Sequence, residues 1–175
     1  MTGLKDIPEE TRWRLAAEFS ARVPAVYDAV FRPALAERYN ELDQEVWMEL
    51  SRSVTEIARH LSLPTGSPKE LAETMRTVMI VLFGPGFKNE ALELAEDRAV
   101  IVVKRCPFLG HIASAGQGEA VFHRCMAFTL TAVPLLNGKF SARFVRTICT
   151  GDRQCEIKIE ANPPAPAATP AKKEN

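Results

Sequence analysis

ALELAEDRAVIVVKRC, running from Ala91 to Cys106, is the stretch that decides the fold. Upstream of it the apolar residues recur at helical spacing; here they do not. AVIVV, residues 99–103, is β-branched and short, which favours an extended chain over a helix. Glu96-Asp97-Arg98 supplies the polar turn, so the stretch reads as two short strands. A helix through KNEALELAEDR is the competing reading of its first half.

The sequence before this point is helical. Pro8-Glu9-Glu10 forms a first turn, with acids at the positive end of the helix dipole. That helix carries Trp13, Leu15, Ala16 and Phe19, and Pro24 is expected to kink or end it. A further helical stretch leads to Pro33, and the next has a break near Asn40. From about Asp43 to Leu61, Val46, Trp47, Leu50, Val54, Ile57 and Leu61 share one face, with Asp43 as N-cap. Ser67-Pro68-Lys69-Glu70 is a capping box opening a helix that buries Leu71, Met75, Val78, Met79 and Leu82 and stops at Gly84-Pro85-Gly86.

Beyond Cys106, QGEAVFHRCMAFTLTAV reads as a helix ended by Pro134 and Asn137-Gly138. KFSARFVRTIC and CEIKIE read as antiparallel strands around TGDRQ. In the last strand Cys155, Ile157 and Ile159 face the core. From Ala161 to Asn175 the chain is rich in proline and alanine, the composition of a disordered tail. The expected class is α+β: one domain over residues 1–160, N-terminal helices followed by a small antiparallel sheet with one inserted helix.

The chain has 175 residues, 46% of them apolar, enough for one real core. Lys+Arg and Asp+Glu are 22 each, a balance that gives no general attraction to nucleic acid or acidic membranes. MTGLKDIPEETRWRL has no apolar signal core, and no run approaches the roughly 18 residues of a membrane span. The expectation is a cytoplasmic protein with reduced thiols, a small-molecule ligand, and no nucleic-acid or membrane partner.

All four cysteines lie late in the chain, spaced C-x18-C-x23-C-x5-C. This is no zinc-finger spacing. The element reading nonetheless puts Cys106 after a strand, Cys149 at the end of another and Cys155 at the start of its partner. Cys125 lies on a helix that can cross that sheet end. Three readings stand: three or more cysteines sharing zinc or an iron–sulfur cluster, separate buried thiols acting as small apolar residues, or a redox pair of Cys149 and Cys155. Arg146 can hold a carboxylate, and His111 or His123 can pass protons or bind substrate. Each also reads as an ordinary surface or core residue. Phe122, Phe128, Phe140 and Phe144 can instead close over the cysteines.

LDQEVWMELSRSVTEIARHLSL, SPKELAETMRTVM and VVKRCPFLGHIASAGQGEAVFHRC follow one another in an order that resembles the L-2-amino-thiazoline-4-carboxylic acid hydrolase-like family. The resemblance spans about Leu42 to Glu160. It points to Cys106, Cys125 and Cys155, and implies hydrolytic opening of a small sulfur heterocycle. FVRTICTGDRQCEIKI is also similar to the end of vinyl-4-reductase-type ligand-binding domains, which bind small molecules and often zinc. Arg146 stands where those domains have a glutamate. Cys149 has no place in the first family's pattern; the element reading adds it, so the expectation is a hydrolase whose metal or iron–sulfur centre is held by Cys106, Cys125, Cys149 and Cys155. The alternative is a non-enzymatic ligand-binding or accessory module with structural zinc or buried free cysteines.

Overall fold

The computed structural model describes residues 3–112 and 118–163. Among these described residues six α-helices and four strands follow in order: α1 (Glu9–Leu35), α2 (Arg38–Leu50), α3 (Arg52–His60), α4 (Pro68–Phe83), β1 (Lys88–Ala95), β2 (Arg98–Arg105), α5 (Leu109–Ile112), α6 (Gly118–Leu136), β3 (Phe140–Arg146) and β4 (Cys155–Ala161). The fold is α+β, as the sequence pattern indicates.

The strands form one antiparallel sheet in the order β1-β2-β4-β3. The hairpin around Glu96-Asp97 forms as the β-branched run requires, and the competing helix does not. Ala99 pairs with Ile159, Ile101 with Ile157 and Val103 with Cys155. These side chains meet α4 and α6, where Leu71, Met75, Val78 and Val133 are fully buried. Each such side chain contributes about 1.5–3 kcal/mol. On the outer face Lys104 pairs with Glu90 at 3.0 Å and Arg143 with Glu160 at 2.9 Å.

α4 begins as its sequence dictates: Pro68 is at N1 and the Glu70 N–H donates to the Ser67 hydroxyl at 3.2 Å. The Glu70 carboxylate accepts from the Gly66 N–H at 2.7 Å, one residue earlier than a capping box would have it. α4 stops at Gly84, with φ at +82°, where an added Cβ would collide with that of Ala17 on α1. The missing side chain lets α1 cross close to the end of α4.

Five features of the elements differ from the sequence pattern. α1 continues through Pro24 and Pro33, and its buried residues Ala17, Ala21 and Asp28 lie in its middle. The break falls at Ala36, φ +48°, rather than Asn40. Asp43 lies inside α2 and caps nothing, because its carboxylate is taken by Arg124. The single helix expected to Leu61 is divided at Ser51, whose hydroxyl donates back to the Met48 carbonyl. The expected tail begins too early: Ala161 closes β4, and the Asn162 N–H donates to the Lys139 carbonyl at 2.8 Å. The rest of it, from residue 164, lies outside the described residues.

Candidate functional site

The four cysteines arrive from four elements and line one cavity. Cys106 follows β2, Cys125 projects from α6, Cys149 sits in a 3₁₀ turn (Ile148–Thr150) after β3, and Cys155 opens β4. Cys149 is therefore in a turn rather than at a strand end. That turn is well held. The Thr147 N–H donates to the Asp152 carboxylate at 2.9 Å, the hydroxyls of Thr147 and Thr150 stand 2.8 Å apart, and Gly151 takes the left-handed conformation. The Ile148 N–H donates to the Cys155 sulfur at 3.3 Å. Gly118, at the start of α6, lies against the Cys149 carbonyl where no side chain fits. The helix and the turn thus bring Cys125 and Cys149 to the same space.

The walls are aromatic and apolar: Trp47, Phe83, Phe87, Phe108, Phe122, Phe128 and Phe144. Phe83 and Phe108 stand 5.0 Å apart, and Trp47 meets Phe108 edge-on at 5.7 Å. Phe122 meets Phe144 edge-on at 5.5 Å. The cavity itself is small, about 40 Å³. A larger groove of about 330 Å³ lies between α1, α2 and α4, lined by Pro24, Val46, Leu50 and Leu82 among others. Trp47, Phe83, Phe108 and Phe128 belong to both spaces and form the partition between them.

All four cysteines are free thiols. Burial pushes Cys106 up to about 11, and burial reinforced by neighbouring Cys155 pushes Cys149 up to about 12. Burial also raises Cys125 and Cys155, Cys125 the more strongly. At neutral pH the cavity wall therefore carries thiols, not thiolates. A thiol is both a poor metal ligand and a weak nucleophile.

Beside the cavity lies a buried charge cluster that joins three helices. Arg124 of α6, 3% exposed, donates through Nη2 to Asp28 of α1 at 2.5 Å and through Nε to Asp43 of α2 at 2.7 Å. Tyr39 accepts from the same Nη2 at 3.3 Å, and Arg32 reaches Asp28 at 3.1 Å. Burial works to raise the Asp28 carboxyl, but the hydrogen bonds and charge of Arg124 outweigh it and hold Asp28 below its ordinary range. Burial, with the hydrogen bond to Asp28, pushes Tyr39 up to about 12. Sequence reasoning missed this cluster. Its trace is there in AVYDAVF and VFHRCMAF, each with a charge set among apolar helical residues.

The three polar candidates stand away from the cavity wall. Arg146 is exposed and pairs with Glu156 at 3.3 Å. His123 is half-buried beside the Phe122 ring. His111 is exposed on a separate polar groove that it shares with Arg14, Lys88 and Arg105, and with Cys106. Phe140 joins the main core instead of the cavity, while Phe122, Phe128 and Phe144 do close over the cysteines.

No family model matches the sequence, and no curated protein matches it. The fold is similar to subunit 3 of a trafficking protein particle complex from Naegleria fowleri, solved covalently bound to palmitic acid. The TM-score is 0.60 at 15% identity, over 85% of this chain and 96% of that one. This likeness places the chain in an α+β architecture shared with a trafficking-complex subunit.

These findings correct the metal reading. Among the described residues no three His, Cys, Asp or Glu side chains are grouped to hold a metal ion, although the four cysteines line one cavity. With the trafficking-subunit fold, that geometry overturns the cysteine-ligated zinc or iron–sulfur hydrolase. The cysteines share the lining of one cavity without being grouped as metal ligands. Among the described residues no helix is long and apolar enough to cross a membrane.

Proposed function

We propose that the chain is a non-enzymatic binding module for an apolar small molecule, taken up in the cysteine-lined aromatic cavity. The observation that carries this is the convergence of four thiols and seven aromatic rings on one almost wholly apolar space. Such a lining offers dispersion and desolvation and no acid–base pair. The palmitic acid of the Naegleria fowleri subunit, held in the same architecture, supports an apolar occupant such as a hydrocarbon chain. So does the sequence's similarity to ligand-binding domains of the vinyl-4-reductase type. A chain longer than the 40 Å³ cavity would enter by turning the rings of Trp47, Phe83, Phe108 and Phe128, which joins the cavity to the 330 Å³ groove behind them.

The occupant is held non-covalently, since the thiols are protonated at neutral pH. A thioester to one cysteine is the second reading, favoured by the covalent palmitate of the neighbour. The test is purification of the full chain, mass measurement under native and denaturing conditions, and analysis of a solvent extract. An apolar molecule retained natively and lost on denaturation is the expected result. A mass increment that survives denaturation and is removed by hydroxylamine establishes the thioester instead. No retained molecule, together with no uptake of an apolar fluorescent probe, overturns both.

A further inference from the structure

The polar groove holds a charge arrangement that the fold does not need. It is about 520 Å³ in volume and lies between α1 and the open end of the β1–β2 hairpin. Lys88 opens β1, Arg105 closes β2, and a slip in register between Lys88 and Asn89 sets the two directly opposite each other. Like charges facing each other across an antiparallel pair destabilise it. Elsewhere on the sheet cations are matched: Lys104 meets Glu90 at 3.0 Å, Arg143 meets Glu160 at 2.9 Å and Arg146 meets Glu156 at 3.3 Å. Among the described residues Lys88 and Arg105 meet no carboxylate. β1 is an edge strand, where a lysine guards against pairing with another chain. That role does not call for a second cation opposite it.

The other charged groups of the groove do not cancel the pair. Arg14 is engaged by Glu18 at 3.1 Å, which leaves Glu10 against Lys88 and Arg105, one positive charge in excess. His111 adds a further polar group to the wall. Phe83 and Cys106 line this groove and the cysteine cavity alike, so the two spaces meet at that pair. Cys106 directly follows Arg105, so the unmatched cations stand beside the entrance to an apolar space. We infer that the groove is the head-group subsite of the ligand, and that the ligand is an amphiphile with one hydrocarbon chain and an anionic head, a carboxylate or a phosphate. The head lies between Lys88 and Arg105, and the chain passes Phe83 and Cys106 into the cysteine cavity. This rests on the ligand-binding reading above and adds the head to it.

Lys88→Gln and Arg105→Gln, made together, remove the head contacts at two exposed strand-end positions and leave the cavity wall as it is. Binding of decanoate, decyl phosphate and decanol to the full chain is measured by calorimetry at low and at high salt, with Arg143→Gln as the control cation. Wild type should bind at least one of the two anions more tightly than decanol, and the tighter of the two identifies the head as carboxylate or phosphate. In the double variant the anion-to-decanol affinity ratio should fall about fivefold or more. Added salt should lower the same ratio in wild type and not in the double variant. Arg143→Gln should leave it unchanged. A ratio that the double variant retains, an equal loss in Arg143→Gln, or decanol bound as tightly as both anions overturns the head site and leaves the binding module standing. Failure of all three probes to bind removes both. If the double variant does not fold, the salt dependence of the wild-type ratio decides alone.

Discussion

Arg124 shows how much one side chain can determine. It ties α1, α2 and α6 through Asp28, Asp43 and Tyr39, and it does so almost out of water. Removing one partner of a buried pair leaves charges with no compensation, so Arg124→Met should cost about 3–5 kcal/mol in denaturant unfolding. Asp28 adds a pH dependence. Its folded value lies below the ordinary 3.8, so its stabilising contribution is present above the unfolded value and lost as pH falls through the folded one. Stability measured from about pH 4 to pH 2 should therefore fall more steeply in wild type than in Asp28→Asn. A slope unchanged by the substitution would remove Asp28 from the acid limb. The thiols predict the opposite end of the scale: burial raises all four, so an aromatic disulfide reagent at pH 8 should label them slowly in the folded chain and at once in denaturant. The sequence shows the cysteines and their meeting point, because strand ends and turns are legible from alternation and glycine. It does not show the Asp28–Arg124 pair, which links positions far apart in the chain and has no local signature beyond a charge among apolar neighbours.

At the scale of elements, local signals succeed where the backbone chooses its own conformation. Ser67-Pro68 starts α4 and Gly84 ends it, because cap geometry and positive φ depend on the residues themselves. They fail where packing decides. Pro24 and Pro33 ought to interrupt α1, yet the helix continues through both. The crossing of α1 over α4 gives a prediction. Gly84→Ala puts a Cβ into a backbone region that glycine alone occupies readily, and into the Cβ of Ala17. The conformational part alone costs about 1–3 kcal/mol. Adding Ala17→Gly should restore the steric part and leave the backbone part, so the double variant should lie between Gly84→Ala and wild type in thermal unfolding. Full recovery would show that the strain at Gly84 is negligible. The end of β4 behaves likewise. Asn162 donates from its backbone to Lys139 and from its side chain to Gly138, so a chain cut before Ala161 should melt lower than one cut after Pro163.

At the scale of the molecule, two apolar spaces share a wall of four rings, and the proposed uptake of an apolar molecule there would make stability depend on occupancy. Whatever binds only the folded chain stabilises it by mass action, about 2.7 kcal/mol at a hundredfold excess over Kd. For a chain of this size that corresponds to a rise in Tm of roughly 5–11 °C. Chain freshly stripped by solvent or refolded from denaturant should melt lower than chain as purified, and should regain the difference on return of the extract. Cys125→Met provides the control. Its larger side chain occupies part of the 40 Å³ cavity, so the response to extract should shrink even if the variant's own Tm stays near wild type. A stripped chain that melts with the purified one, and ignores the extract, would mean that the thiols and rings are packing alone and that the partition between the two spaces never opens.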